Sequence, residues 1–164
     1  MDREVFQPWD AVSCNDLQMR IAILTFAEYA AFDATGKLLI AGTVDGVSLQ
    51  RRDGVAADSV GPVPIPPLYL VSVFEGSIGD GLSHKLDIRV FNEDKKEVAT
   101  VLENGEVRFQ VNKYGRPMRA QLILKLPRLL VPSPGDYEFV IFVDSVEAAA
   151  TPLYVTDETP SAGA

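Results

Sequence analysis

The sequence predicts an all-β protein, an antiparallel β-sandwich of about nine strands. Three observations predict it. Short runs rich in Val, Ile, Phe, Tyr and Thr alternate with the two-residue period of a strand. Gly, Pro, Asn and Asp interrupt these runs at the spacing usual for all-β folds. No window carries the apolar stripe of an amphipathic helix.

Residues 1–18 show neither strand alternation nor a helical stripe, and read as an N-terminal arm carrying Phe6 and the sole Trp, Trp9. The domain proper spans residues 19–156. Arg20 to Tyr29 is its first strand, with Ile21, Ile23, Thr25, Ala27 and Tyr29 on one face and Ala22, Leu24 and Phe26 on the other. Turn chemistry at Asp33-Ala34-Thr35-Gly36 leads into the returning strand Leu38–Val44, which Asp45-Gly46 bends before Val47-Ser48-Leu49. Residues 50–67 are the longest connection. The alternate prolines of Pro62-Val63-Pro64-Ile65-Pro66 favour a stiff, extended crossover between sheets.

Leu68 to Glu75 aligns Tyr69, Val71 and Val73, and Gly76–Gly81 turns this strand into the next. There Leu86, Ile88 and Val90 alternate with Lys85, Asp87 and Arg89, so one face is buried and one wet. After a polar turn at Asn92–Lys96, Val98–Glu103 meets Asn104-Gly105, the two-residue signal of a type I′ hairpin. Val107, Phe109 and Val111 follow. A basic loop, Asn112–Arg119, precedes Leu122, Leu124 and Leu126, and Leu129-Leu130-Val131 leads to the turn Pro132-Ser133-Pro134-Gly135.

Next comes a strand with Tyr137, Phe139, Ile141 and Val143 on one face and Glu138, Val140 and Phe142 on the other. Being apolar on both sides, it belongs in the middle of a sheet. Val146–Ala150 reads as a turn with a small apolar tip, Leu153–Val155 as the last strand, and residues 157–164 as a disordered tail. The predicted core is Ile21, Ile23, Ile40, Tyr69, Val71, Val73, Leu86, Ile88, Val90, Phe109, Leu122, Leu124, Tyr137, Phe139 and Ile141.

At 164 residues the chain suffices for one domain with a core of its own. A formal charge of −8 argues against nucleic acid and anionic lipid as partners. No apolar tract reaches membrane-spanning length, and the start lacks a signal-peptide pattern. Cys14 is alone, so no internal disulfide forms, and a cytoplasmic setting is the expectation.

Catalytic chemistry finds little support. The sole histidine, His84, begins a strand with no nucleophile elbow in the sequence, and reads as a surface or strand-edge residue. One His and one Cys do not make a transition-metal site, and no segment matches a calcium loop. Gly76–Gly81 lacks the spacing and the following helix of a phosphate cradle. No catalytic residue, metal or cofactor is therefore assigned. The most distinctive polar segment is the basic loop, where Lys113, Tyr114, Arg116 and Arg119 suit an anionic or sugar ligand or a partner's acidic patch.

Five segments carry a family resemblance: Ile23–Ala30, Gly36-Lys37-Leu38, Ile40-Ala41-Gly42, Leu68–Val71 with Glu75-Gly76, and Pro134–Phe139 with Val143-Asp144. In order and spacing they resemble a family of small bacterial β-sandwich domains of unassigned function. The last segment also resembles the turn-plus-tyrosine corner of immunoglobulin-like sandwiches, whose phenol bonds the backbone. The resemblance implies a fold and no activity. The function expected is a non-catalytic interaction module that binds a protein partner or forms a homo-oligomer through Phe6, Trp9, Val140 and Phe142. The alternative is a small-ligand or carbohydrate-binding sandwich using the basic loop, and an enzyme with an unfamiliar site comes third.

Overall fold

The computed structural model describes residues 19–50, 62–76, 83–109, 118–126 and 129–158. Those residues contain no helix. Among the described residues eleven strands form where about nine were expected. They are β1 (Arg20–Phe32), β2 (Leu38–Val44), β3 (Gly46–Gln50), β4 (Val63–Pro64), β5 (Leu68–Gly76), β6 (Ser83–Asn92), β7 (Glu97–Arg108), β8 (Met118–Leu126), β9 (Leu130–Val131), β10 (Gly135–Val143) and β11 (Val146–Glu158). Four make a sheet in the order β2-β1-β5-β8, five make a second in the order β3-β11-β10-β6-β7, and β4 and β9 form a small third. Neighbours run antiparallel except β3, which lies parallel to β11.

The two larger sheets share one core. Phe26 from β1 meets Phe139 from β10 edge to face, with ring centroids 4.8 Å apart. Leu70, Phe74, Ile88 and Leu153 are sealed around them. A fully buried side chain of this size stabilises the fold by about 1.5–3 kcal/mol. The expected facing of β1 needs correction. A bulge shifts its register against β5 between Ile21 and Ile23, so Ile21 packs on the same core as Leu24 and Phe26. Ile23 is 43% exposed. Ile40, Tyr69, Leu122 and Leu124, also predicted for the core, are only half-buried.

A second, smaller cluster joins Ala27, Ala30 and Val71 with Leu38, Ile40, Tyr69 and Ile123. Through it the far half of hairpin β1–β2 closes on β5 and β8, curling the four-stranded sheet. The prolines also behave differently from expectation. Val63 and Pro64 pair with Val131 and Leu130 as a two-residue ladder. Ile65 donates its N–H to the Leu129 carbonyl at 2.8 Å and buries its side chain in the main core. A two-residue strand at a sheet edge has few ladder bonds for proline to disrupt.

Turn geometry corrects two further expectations. Asn104-Gly105 is not a hairpin turn, because β7 runs straight through it. Asn104 alone has φ of 54°, where a type I′ turn needs both central residues positive. It sits in a stretch of shifting register against β6, its N–H held at 2.7 Å by the Asp87 carboxylate. Among the described residues the turn with two positive φ values is Asp144-Ser145, at 49° and 70°, joining β10 to β11. Val146–Ala150 is therefore strand rather than turn. The turn at Asp33–Gly36 forms as expected. Gly36 has φ of 78°, and the Asp33 carboxylate accepts the N–H groups of Thr35 and Lys37 at 2.7 and 2.9 Å.

The strand apolar on both sides is interior, as its pattern demands: β10 lies between β11 and β6. Tyr137, Phe139, Ile141 and Val143 face the core. Tyr137 makes the corner contact, donating its hydroxyl to the Ser133 carbonyl at 2.6 Å. The opposite face is covered by the molecule itself. Val140 is buried, and half-buried Phe142 lies 6.5 Å from the Phe91 ring with the Arg89 guanidinium 5.4 Å above it.

Candidate functional site

Strand register brings the ends of several strands together. β6 begins opposite the end of β7, where Ser83 faces Arg108 and His84 faces Val107. β8 begins opposite the end of β5, where Arg119 faces Glu75, and Glu75 in turn faces Arg20. The turn between β10 and β11 closes on the same place, because the Asp144 N–H bonds the Lys85 carbonyl at 3.0 Å.

Three polar groupings result. In the first, His84 is not at the surface as expected but only 7% exposed, its ring edge to face with Phe109 at 5.8 Å. Its Nδ1 lies 2.7 Å from Asp144 Oδ2, while Asp144 Oδ1 accepts the Lys85 N–H at 2.9 Å. The hydrogen bond from His84, followed by that backbone N–H, holds the Asp144 carboxyl below its ordinary range. The pair resembles the base and orienter of hydrolases. Yet Nε2 is buried with no hydrogen-bond partner and with no nucleophile beside it among the described residues. What the geometry supports is a clamp joining the β10–β11 turn to β6.

The second grouping is Ser83, Glu106 and Arg108. Arg108 Nη2 donates to Glu106 Oε2 at 2.6 Å and the Ser83 hydroxyl donates to Oε1. Together they hold Glu106 below the usual carboxylate range, Arg108 contributing most. The third is Glu75 between two arginines on neighbouring strands. Arg20 donates Nε and Nη2 to Oε2 at 2.9 and 2.6 Å. Arg119 donates Nε to Oε1 at 2.8 Å, with Nη2 at 2.6 Å from the same oxygen. The bonds from Arg20 and then Arg119 hold Glu75 below the usual carboxylate range.

Arg108 and Arg119 line a cleft of about 530 Å³ at the seam of edge strands β7 and β8. Glu106 and Gln121 add polar groups, Val107 and Leu122 form apolar wall, and Phe32 and Gly36 reach in from the curled hairpin. That hairpin also carries exposed apolar surface. Tyr29 stands opposite Ala41 and Ala31 opposite Leu39, which places all four on one face. Tyr29 and Leu39 are half-exposed there.

Of the residues singled out by sequence, Arg119 lies in the cleft, whereas Val140 and Phe142 are covered on the second sheet. Lys113, Tyr114 and Arg116 lie outside the described residues, as do Phe6 and Trp9. Sequence reasoning missed the His84–Asp144 pair, since sixty residues separate them and one turn aspartate looks like any other. It also missed Arg108, whose alternation with Val107 and Phe109 marks only an outward-facing position. Among the described residues no three His, Cys, Asp or Glu side chains are grouped to hold a metal, and no helix is long and apolar enough to cross a membrane.

No curated protein matches the chain. Among solved structures it is similar to Pseudomonas fluorescens alkylpurine DNA glycosylase AlkC bound to DNA containing an abasic site analog, at 8% identity and a TM-score of 0.35. The match covers 85% of this chain and 30% of that one, so the chain spans under a third of its length. The expectation on partners, which excluded nucleic acid, is thereby corrected: a structure similar to this chain is a DNA-bound one. Net charge is a global quantity, and Arg20, Arg108 and Arg119 gather positive charge locally. A likeness at that TM-score lends no weight to DNA binding either. The profile of a family of unknown function, DUF6941, matches residues 22–156. The chain belongs to that family.

Proposed function

We propose that the protein is a non-catalytic β-sandwich module of immunoglobulin-like type that works by docking another polypeptide surface onto the exposed face of hairpin β1–β2. One observation carries this reading. Tyr29 and Leu39 share one face of that hairpin and are both about half exposed, and with Ile23 farther along β1 they are three of the seven large apolar side chains exposed among the described residues. Scattered exposed apolar groups are ordinary, whereas a cluster on one element marks an interaction surface. The buried Ala30 beneath, with half-buried Ile40 and Leu38, seats the hairpin on β5 and β8, so the surface is presented on a fixed support. The Tyr137 corner and the single core shared by two sheets support the immunoglobulin-like part.

The test is light scattering over a concentration series, combined with a photo-crosslinking residue at Leu39 in the native host. Crosslinked product, or a concentration-dependent mass, that Tyr29→Lys abolishes while the unfolding midpoint holds would support the reading. A monomer at every concentration with no crosslinked product would sink it.

A further inference from the structure

We infer that the cleft between β7 and β8 is a binding site for a small organic acid carrying one carboxylate on an apolar, preferably aromatic, body. This site is separate from the proposed docking surface: Tyr29 and Leu39 share that surface, whereas Phe32, opposite Leu38 on the hairpin's other face, belongs to the cleft. The first argument is size. About 530 Å³ lies within the roughly 300–1,000 Å³ of small-molecule sites, where apolar walls and a few convergent polar groups are the rule. Val107 and Leu122 provide the walls here, and Arg108, Arg119 and Gln121 the polar groups.

The second argument is donor count. Arg119 spends its Nε and Nη2 on Glu75, and Arg108 spends its Nη2 on Glu106. A guanidinium has five N–H donors, so each retains an Nη1 group to offer. The two side chains are 68% and 76% exposed, which leaves those donors accessible. Each is also braced by its carboxylate, so its planar fork is oriented before a ligand arrives. A fork of this kind suits a carboxylate better than a hydroxyl.

The third argument is charge. Arg20, Arg108 and Arg119 against Glu75 and Glu106 leave one positive charge in a chain whose total is −8. One negative charge balances it. A dianion such as a phosphate monoester would be left with excess charge beside Glu106. Finally, Phe32 lines the cleft and is 48% exposed, so an aromatic surface is accessible there to a flat ligand body.

The probes are phenylacetate, its neutral isostere phenylacetamide, acetate, and the dianion phenyl phosphate, titrated by calorimetry and followed on the arginine Nε–H resonances. Phenylacetate should bind best, with phenylacetamide roughly tenfold weaker or more, the usual cost of losing a charged hydrogen-bond partner. Arg108→Gln and Arg119→Gln should each weaken phenylacetate by a similar factor. Phe32→Ala should weaken phenylacetate while leaving acetate unchanged. Circular dichroism establishes that each variant is folded, and because Arg108 braces no strand pair of the first sheet, its variant serves should Arg119→Gln unfold. No saturable binding of phenylacetate, equal affinity for the amide, or tighter binding of phenyl phosphate would overturn the inference. Tyr29→Lys should leave phenylacetate affinity untouched, which keeps this test independent of the docking surface.

Discussion

Strand β10 and the far half of hairpin β1–β2 are both apolar on two faces, and they meet opposite fates. β10 lies inside the five-stranded sheet, where the first sheet closes its core face and side chains of neighbouring β6 cover Phe142 on the other. Val140 is buried, and Phe142 is overlaid by Phe91 and Arg89. In hairpin β1–β2, β2 is an edge strand; the Ala30–Ile40 face is closed against β5 and β8, while on the other face Ala27 is buried and the Tyr29 ring meets Tyr69 of β5 edge to face at 6.3 Å. Tyr29 and Leu39 nevertheless remain about half exposed there. Apolar character on both faces therefore reports how much cover a strand could use. Its place in the sheet decides whether the molecule supplies that cover itself.

Substitutions should separate the two regions by size of effect. Phe139→Ala removes the partner of Phe26 at the centre of the core and should cost about 3–5 kcal/mol in a denaturant titration. A loss under 1 kcal/mol would mean the two sheets do not share that contact. Val140→Ala tests the covered outer face of β10 and should cost about 2 kcal/mol; a neutral result would show that this face is open after all. Tyr137→Phe deletes the hydroxyl that reaches Ser133, for a loss of about 1 kcal/mol.

A smaller, pH-dependent effect belongs to Asp144. Its carboxyl is held below the ordinary range in the folded protein, by His84 first. The stabilisation is therefore complete above the unfolded value of about 3.9 and fades as pH falls through the lower folded value. Asp144→Asn should be less stable than the native chain at neutral pH, and the gap should close in acid. A gap that widened in acid would contradict the clamp. Smallest of all, Leu39→Ala should change stability by under about 0.5 kcal/mol, although it lies on an apolar hairpin. A cost near that of Val140→Ala would erase the contrast between the two regions.

Local pattern carried much of the architecture. The all-β class follows from two-residue alternation, and the interior position of β10 follows from its having no polar face. Where pattern failed, competing contacts decided. Asn104-Gly105 has hairpin chemistry, but the Asp87 carboxylate takes the Asn104 N–H and pairing with β6 continues past it. Asp144-Ser145 turns instead, with the Asp144 carboxylate tied to both His84 and Lys85. One bulge in β1 was enough to send Ile23 outward, since a single slip exchanges the faces of a strand. The cleft was the least legible feature. Arg119 stood out as a cation in a basic loop, whereas the meeting of Arg108 with it depends on which edge strands adjoin.

The parallel pair of β3 and β11 bears on how the chain matures during synthesis. Val47 pairs with Val155, and the Ser48 and Thr156 hydroxyls lie 3.2 Å apart, more than a hundred residues from each other along the chain. β11 is also interior, between β3 and β10. A nascent chain that has emerged only as far as residue 145 holds two unsatisfied strand edges and lacks Leu153 and Val155 from its core. Long-range pairing of this kind is slow and leaves intermediates open to aggregation. Ribosome-associated chaperones should therefore engage this protein until its last strand has been released.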